Sequence, residues 1–278
     1  MNILIIGASS YVGARVYFDL NDNYEILGTY VSNKLSSDFV HLDITDQEEI
    51  DKVVGDFKPD VIVHVANNAS SKWCDENPKK AILLNQTGTQ YIVEASDKEG
   101  AKLIYISSLA AVNPSNLYGR TKLESEKIAK KTKKGWLILR PSLILGYSPN
   151  TTNDRPFNRI LRNIDKGIPA VYEDAWNFQP TYLSHISEVI SGCIKKDVWN
   201  ETIPIVVPEV TTRFKIGKEI LAPFGIKVEA DKTAKKYFKD FEVKLDKLKK
   251  YKLPTYTYSE MVKKIIDEIK QRGKFRLT

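Results

Sequence analysis

Tyr118 and Lys122 stand four apart in "SNLYGRTKLESEKI", and a pair of serines, Ser107-Ser108, closes an apolar run ten residues before the tyrosine. On a helix, residues four apart share a face. A tyrosine that gives a proton to a reduced carbonyl must release it near neutral pH, yet its ordinary pKa is ~10. An ammonium ~5 Å away at an effective dielectric of ~20 contributes roughly 3 kcal/mol, enough to bring the phenol down toward ~8. A serine hydroxyl beside it can polarise the same carbonyl oxygen. The spacing alone proves little. With 14 tyrosines in 278 residues, chance supplies about two Y-x-x-x-K pairs. The chain holds two, and the other, Tyr30 with Lys34, runs out of a strand into a loop. Tyr118 and Lys122 open a predicted helix just after a strand ending in the serines. The plainer alternative is a half-buried aromatic at a helix start with a solvated lysine behind it.

The second constellation is "GASSYVG", residues 7–13, directly after "NILII". Strand, glycine-rich turn and amphipathic helix follow one another, which is the context a dinucleotide phosphate loop requires. Gly7 ends the strand where a tight turn needs freedom in φ. Gly13 falls one turn into the helix, where the missing side chain permits close helix–strand packing. Ser10 replaces the expected middle glycine. Its hydroxyl can donate to a phosphate oxygen, and the helix N-terminus offers free N–H groups. Gly7, Ser9, Ser10, Tyr11, Val12 and Gly13 are therefore the expected pyrophosphate contacts; a plain strand-to-helix turn is the alternative. The next strand ends "GTYVSNK" with no acid to hold a ribose 2′-hydroxyl. Ser32, Asn33 and Lys34 could instead hold a 2′-phosphate, which favours NADP while leaving NAD open, and Tyr30 is a further expected cofactor contact. Asp43 and Ile44, in "HLDITD", fall near the expected adenine.

These residues need a scaffold, and the first 140 positions supply an alternating one. Short β-rich runs ("NILII", "EILGTY", "VIVHVA", "KLIYIS", "WLILRP") separate segments of helical spacing over 11–21, 47–57, 78–99 and 118–133. Asp46 before "QEEI" and Asn77 before Pro78 are helix-starting signals. The order predicts an α/β fold: a doubly wound parallel sheet with helices on both faces and ligands at the carboxyl ends of its strands. After Pro141 the alternation loosens. "GYSPNTTNDRP" reads as a polar loop. Helices are expected over 157–166, 186–195, 213–223 and 259–272, with one more strand at "IPIVV". The predicted division is a dinucleotide-binding domain over 1–140, also receiving 183–207, and a smaller substrate-binding lobe over 141–182 and 208–278.

Composition narrows the class. A hydrophobic content of 42% and a charged content of 28% fit a soluble globular chain. No run approaches the ~18 apolar residues of a membrane span, and no basic leader precedes the first strand. Cys74 and Cys193 lack metal or redox spacing, and His41, His64 and His185 are scattered, so neither a disulfide nor a metal site is expected. The net charge of +7 comes mostly from lysines interleaved with helix-period apolar residues. That pattern reads as solvated helix faces rather than a nucleic-acid surface. The expectation is a cytoplasmic protein that binds neither nucleic acid nor membrane. Trp73, Trp176 and Phe178 fall where they could border a substrate cleft or pack a lobe. Arg155, Arg159 and Arg162 could grip a diphosphate or lie exposed.

Together the glycine loop, active-site serine and Y-x-x-x-K resemble the extended short-chain dehydrogenase/reductase superfamily, most closely its dTDP-4-dehydrorhamnose reductase branch. "HLDITDQEEIDKVVGDFKPDVIVHVANNA", "ENPKKAILLNQTGTQYIVEAS", "LILRPSLILG" and "QPTYLSHISEVI" carry the likeness, which is strongest up to about residue 146. The resemblance implies Ser108 as the carbonyl-polarising hydroxyl, with Ser107 as the alternative alignment. It implies Tyr118 as proton donor and Lys122 as its tuner and ribose ligand. Ala66, Asn67, Asn85 and Pro141 would border the cofactor. The implied activity is NAD(P)H-dependent reduction of a nucleotide-activated 4-keto sugar, compatible with a homodimer. An epimerase or dehydratase, or a cofactor-bound subunit without chemistry, remain alternatives. Departures from the pattern are Ser10, the short span from Ser108 to Tyr118, and Leu109-Ala110 where the family carries an aspartate and a tyrosine.

Overall fold

A computed structural model describes residues 1–231, 233 and 243–277; residues 232, 234–242 and 278 of the anticipated substrate lobe lie outside the described residues. Seven strands make the central sheet: β1 (Asn2–Ile6), β2 (Glu25–Tyr30), β3 (Val40–His41), β4 (Val61–His64), β5 (Lys102–Ile106), β6 (Trp136–Pro141) and β7 (Glu201–Ile205). Their order is β7-β6-β5-β4-β1-β2-β3, and every pair is parallel. The chain thus winds outward in both directions from β1 and β4. A crevice opens between the diverging connections at the carboxyl ends of those two strands.

Side-chain alternation assigns each face its own core. Ile3, Ile5, Val61, Val63, Ile104, Ile106, Leu137 and Leu139 face one side with Val16, Ile186, Val189, Ile190 and Ile265. Leu4, Ile6, Ile62, Leu103, Tyr105 and Ile138 face the other with Ile50, Val54, Ile92 and Ala129. Burial of each such side chain is worth about 1.5–3 kcal/mol, so continuous Val/Ile/Leu runs suit strands covered on both faces. The helices Tyr11–Leu20 and Leu183–Lys195 cover the first face; Gln47–Phe57, Gly88–Glu99 and Leu117–Ala129 cover the second.

The expected single helix over 78–99 is divided. Pro78–Ile82 and Gly88–Glu99 flank a widened π turn, Leu83–Thr87. A Cβ at Gly88 would come within 2.8 Å of the Ile44 carbonyl oxygen, so the helix meets the Ile44 backbone closely there. A further helix, Ser71–Glu76, is capped by the Ser70 hydroxyl. Beyond the sheet, Ala170–Glu173 pairs in parallel with Val228–Asp231, and Ile144–Leu145 with Thr181–Tyr182. The segment read as a polar loop after Leu145 is inside the protein only in its first half: Gly146, Tyr147, Ser148 and Asn150 are buried, whereas Thr151, Thr152 and Asp154 are exposed. Among the described residues no helix is long and apolar enough to cross a membrane, and no group of three His, Cys, Asp or Glu side chains could hold a metal ion.

Candidate active site

The glycine loop leaves β1 and turns at Gly7, whose φ is +89°. Thr29 of β2 holds the turn through its hydroxyl, which accepts from Gly7 N–H, and its carbonyl, which accepts from Ser9 N–H. Ser10 is the N-cap of the Tyr11–Leu20 helix, and its hydroxyl accepts from Gly13 N–H at 3.0 Å. The Tyr11 and Val12 N–H groups start that helix without intrahelical partners. As an acceptor in the cap, Ser10 still has its own proton to donate. Gly13 is fixed by contact: a Cβ there would lie 2.1 Å from the Gly7 carbonyl oxygen. Helix dipole, free N–H groups and serine hydroxyls together form an anion cradle.

Ser10, Tyr11 and Val12 line a cavity of about 430 Å³. Ser108 and Tyr118 line the same cavity, as do Asn67 and Pro141. Two buried atoms near the loop, Ser9 Oγ and Asn67 Oδ1, have no hydrogen-bond partner among the described residues. A dinucleotide's phosphates and ribose hydroxyls would satisfy such atoms, so the residues present fit that group. Ser32, Asn33 and Lys34 are exposed beyond β2, with the Lys34 ammonium 5.6 Å from the Tyr30 ring centre. Asp43 turns one carboxylate oxygen to Thr45, while Ile44 is buried beneath the following helix. Asn85, also buried, stands behind the cleft. It clasps Asn68 through backbone N–H and carbonyl, and reaches Thr121 Oγ1 at 3.2 Å.

The two serines after β5 differ in commitment. Ser107 Oγ donates to Glu126 Oε1, a carboxylate also held by Arg140. Ser108 Oγ accepts from Ala110 N–H and faces Tyr118 closely enough to lower the phenol's pKa. A 3₁₀ turn over Leu109–Ala111 and a left-handed residue, Asn113, carry the chain directly to the next helix. Asn116 caps that helix by accepting from Gly119 N–H. A Cβ at Gly119 would lie 2.5 Å from the Ala110 carbonyl. The short connection therefore works because a glycine lets the helix rest on the turn, a signal present in the sequence but not read from it.

Burial pushes the Tyr118 phenol up to about 12, with Ser108 and then Arg155 pulling it down. Lys122 is fully buried. Its Nζ donates to the Tyr105 hydroxyl at 3.1 Å and the Ile106 carbonyl at 2.8 Å, inside the protein. Burial lowers Lys122 to about 7, with Glu126 opposing.

The cavity is also lined by Arg155, Trp176, Phe178 and Arg213. The Trp176 and Phe178 rings are 4.7 Å apart. The Arg213 guanidinium stands 5.4 Å over Trp176 and 3.5 Å from Glu173, with no hydrogen bond at Nε among the described residues. Of the three arginines singled out by spacing, only Arg155 lines the cleft. Arg159 and Arg162 both pair with Asp154 on the exposed side of their helix. Trp73 lies outside the lining, and Arg213 was not anticipated, because only the tertiary fold brings its helix to the cleft.

Residues 1–270 match the sequence profile of the RmlD substrate binding domain. The chain belongs to this family. Among curated relatives, methionine adenosyltransferase 2 subunit beta of Xenopus tropicalis is 27% identical over 206 residues, 69% of this chain and 60% of that protein. The chain thus spans about 60% of that relative's length. The dTDP-4-dehydrorhamnose reductase of Aggregatibacter actinomycetemcomitans is 27% identical over 218 residues, 72% of this chain and 70% of that one. A solved dTDP-4-dehydrorhamnose reductase from Bacillus anthracis, in complex with NADP, superimposes with a TM-score of 0.79 at 20% identity. That likeness covers 96% of this chain and 98% of the other, and establishes the fold of this RmlD-family member.

Proposed function

We propose that the protein is an NAD(P)H-dependent reductase of a keto group on a nucleotide-activated sugar. The carrying observation is one cavity lined by Ser10, Tyr11 and Val12 of the phosphate cradle, by Ser108 and Tyr118, and by Arg155 and Arg213. When bound, a reduced nicotinamide supplies the hydride that arrives at the carbonyl carbon. The carbonyl oxygen lies between the Ser108 and Tyr118 hydroxyls. Tyr118, with a pKa of about 12, carries its proton at neutral pH and transfers it to that oxygen as negative charge develops there. Ser108 donates a hydrogen bond to the same oxygen and stabilises the charge. Arg155 and Arg213 hold the substrate's diphosphate. Exposed Ser32, Asn33 and Lys34 with no acid beside them support NADP over NAD. In this reading, 1–140 with 183–207 forms the dinucleotide domain and the remainder the substrate lobe.

A second reading, a dinucleotide-bound subunit of another enzyme, draws on the inward engagement of Lys122 with Tyr105 and Ile106 and on the relatives named as an adenosyltransferase subunit. The two separate in one assay. Purified protein is mixed with NADPH or NADH and a panel of nucleotide 4-keto sugars, and loss of reduced-nicotinamide absorbance is followed with product analysis. Turnover of at least one sugar supports the reductase. Tight dinucleotide binding without turnover of any sugar supports the subunit.

A further inference from the structure

We infer that Glu268, on the helix Tyr258–Lys270 near the C-terminus, is a positioning residue for the phosphate loop, acting through the buried strap Gly146–Asn150. The inference rests on the dinucleotide-binding part of the reading above.

The strap is gripped from both sides. On the outer side, Glu268 Oε2 accepts from Tyr147 N–H at 2.9 Å, and Arg15 Nη1 donates to the Tyr147 carbonyl at 2.7 Å. Both backbone polar groups of Tyr147 are therefore fixed by side chains. Arg15 and Glu268 are themselves paired, Nη2 to Oε1 at 2.8 Å, and both are nearly fully buried. Tyr182 donates its hydroxyl to Glu268 Oε1, and Asp19 takes Arg15 Nε. On the inner side, the strap holds the loop. Asn150 Nδ2 donates to the Ser9 carbonyl and Ser148 Oγ to the Tyr11 carbonyl, each at 2.7 Å. The Tyr11 hydroxyl donates back to the Gly146 carbonyl.

Ser9 and Tyr11 bracket Ser10, so the bonds from the strap set the backbone that presents the helix N-terminus to a phosphate. A buried ion pair that served stability alone would commonly be replaceable by apolar groups without loss. This pair instead spends its remaining hydrogen-bonding capacity on a backbone segment whose other face touches the cradle. The Tyr258–Lys270 helix and the dinucleotide are thus coupled, and the coupling is reciprocal.

The test measures NADP+, NAD+ and ADP binding by calorimetry for wild type, Glu268→Gln, Asn150→Ala and the double variant, with hydrogen exchange on wild type. The inference predicts roughly ten-fold weaker binding of all three ligands by each single variant. It predicts a double variant no weaker than either single one, because both act through one strap. It also predicts that NADP+ slows exchange in the Tyr258–Lys270 helix of wild type. Should Glu268→Gln fail to fold, Asn150→Ala and the exchange experiment still decide. Unchanged affinity in folded Glu268→Gln, additive losses in the double variant, or no exchange protection on NADP+ binding overturns the inference. A wild type that binds none of the ligands overturns the dinucleotide reading itself, and is thereby told apart.

Discussion

Substituting Gly13 by alanine isolates the packing on which the phosphate cradle depends. Helix propensity alone favours the change by about 1 kcal/mol. The geometry opposes it. The new Cβ would lie 2.1 Å from the Gly7 carbonyl oxygen and 2.9 Å from Ala8 Cα. Ordinary carbon–oxygen contact is about 3.3 Å, so loop and helix must separate by roughly 1 Å. Gly7 has little room to retreat: a Cβ on its own far side would meet Ala66 N at 2.8 Å. The strain is therefore expected near the upper end of the overpacking range, about 3 kcal/mol, or a drop in Tm of roughly 5 °C for a chain of this size. Displacing the Tyr11 and Val12 N–H groups should cost one charge-assisted bond, about 1.5–3 kcal/mol, or roughly 10- to 100-fold in dinucleotide affinity. Gly55 in the Gln47–Phe57 helix is the control, because its nearest neighbour would be Glu99 Oε1 at 3.9 Å. Gly55→Ala should raise Tm slightly and leave affinity alone. Melting curves and NADP+ titrations measure both. Equal behaviour of the two variants would refute the close-packed cradle.

Ser108→Ala should lower turnover by roughly 100-fold while leaving dinucleotide affinity near wild type, as expected for loss of a charge-stabilising donor. Ser107→Ala should act chiefly on stability, since its hydroxyl serves Glu126; the reverse pattern would reassign the two serines. Arg213→Ala should raise KM for a nucleotide sugar by roughly ten-fold or more with kcat little changed, and an unaltered KM would remove Arg213 from substrate binding. His185 donates Nε2–H to the Pro254 carbonyl and is held by burial at a pKa of about 4, below its ordinary 6.5. The unfolded chain therefore takes up a proton on this residue that the folded one refuses. The stabilisation is complete above pH ~6.5 and is lost as pH falls toward 4. His185→Gln should flatten that part of the stability profile, and an unchanged acid slope in denaturant titrations would contradict the assignment.

Features carried by local pattern were legible before the fold was known. The β1 to helix turn, the parallel sheet, and the placement of Ser108 and Tyr118 follow from apolar periodicity, caps and glycines, all of which act within a few residues. What escaped is set by distant partners. Lys122 faces inward because Tyr105 and Ile106 present acceptors there, and no spacing rule encodes the direction of a lysine on a buried helix face. The turn-forming composition of 146–156 reads as a polar loop throughout, and in its second half Thr151, Thr152 and Asp154 are exposed. Over 146–150 the polar groups are instead engaged by Arg15, Glu268 and the glycine loop. Arg213 and Trp176 meet only when two segments outside the regular alternation converge. The π turn at Leu83–Thr87 likewise comes with a tertiary contact, the close approach of Gly88 to Ile44.

The most direct test is the rate of NADPH oxidation by Tyr118→Phe against wild type on whichever nucleotide 4-keto sugar the wild type reduces, with NADP+ affinity measured on both. Removal of the proton donor should lower kcat by roughly 10²- to 10⁴-fold and leave NADP+ affinity within about two-fold of wild type. Comparable turnover by the variant would contradict the assignment of Tyr118 as the acid, and with it the proposed chemistry of the cleft.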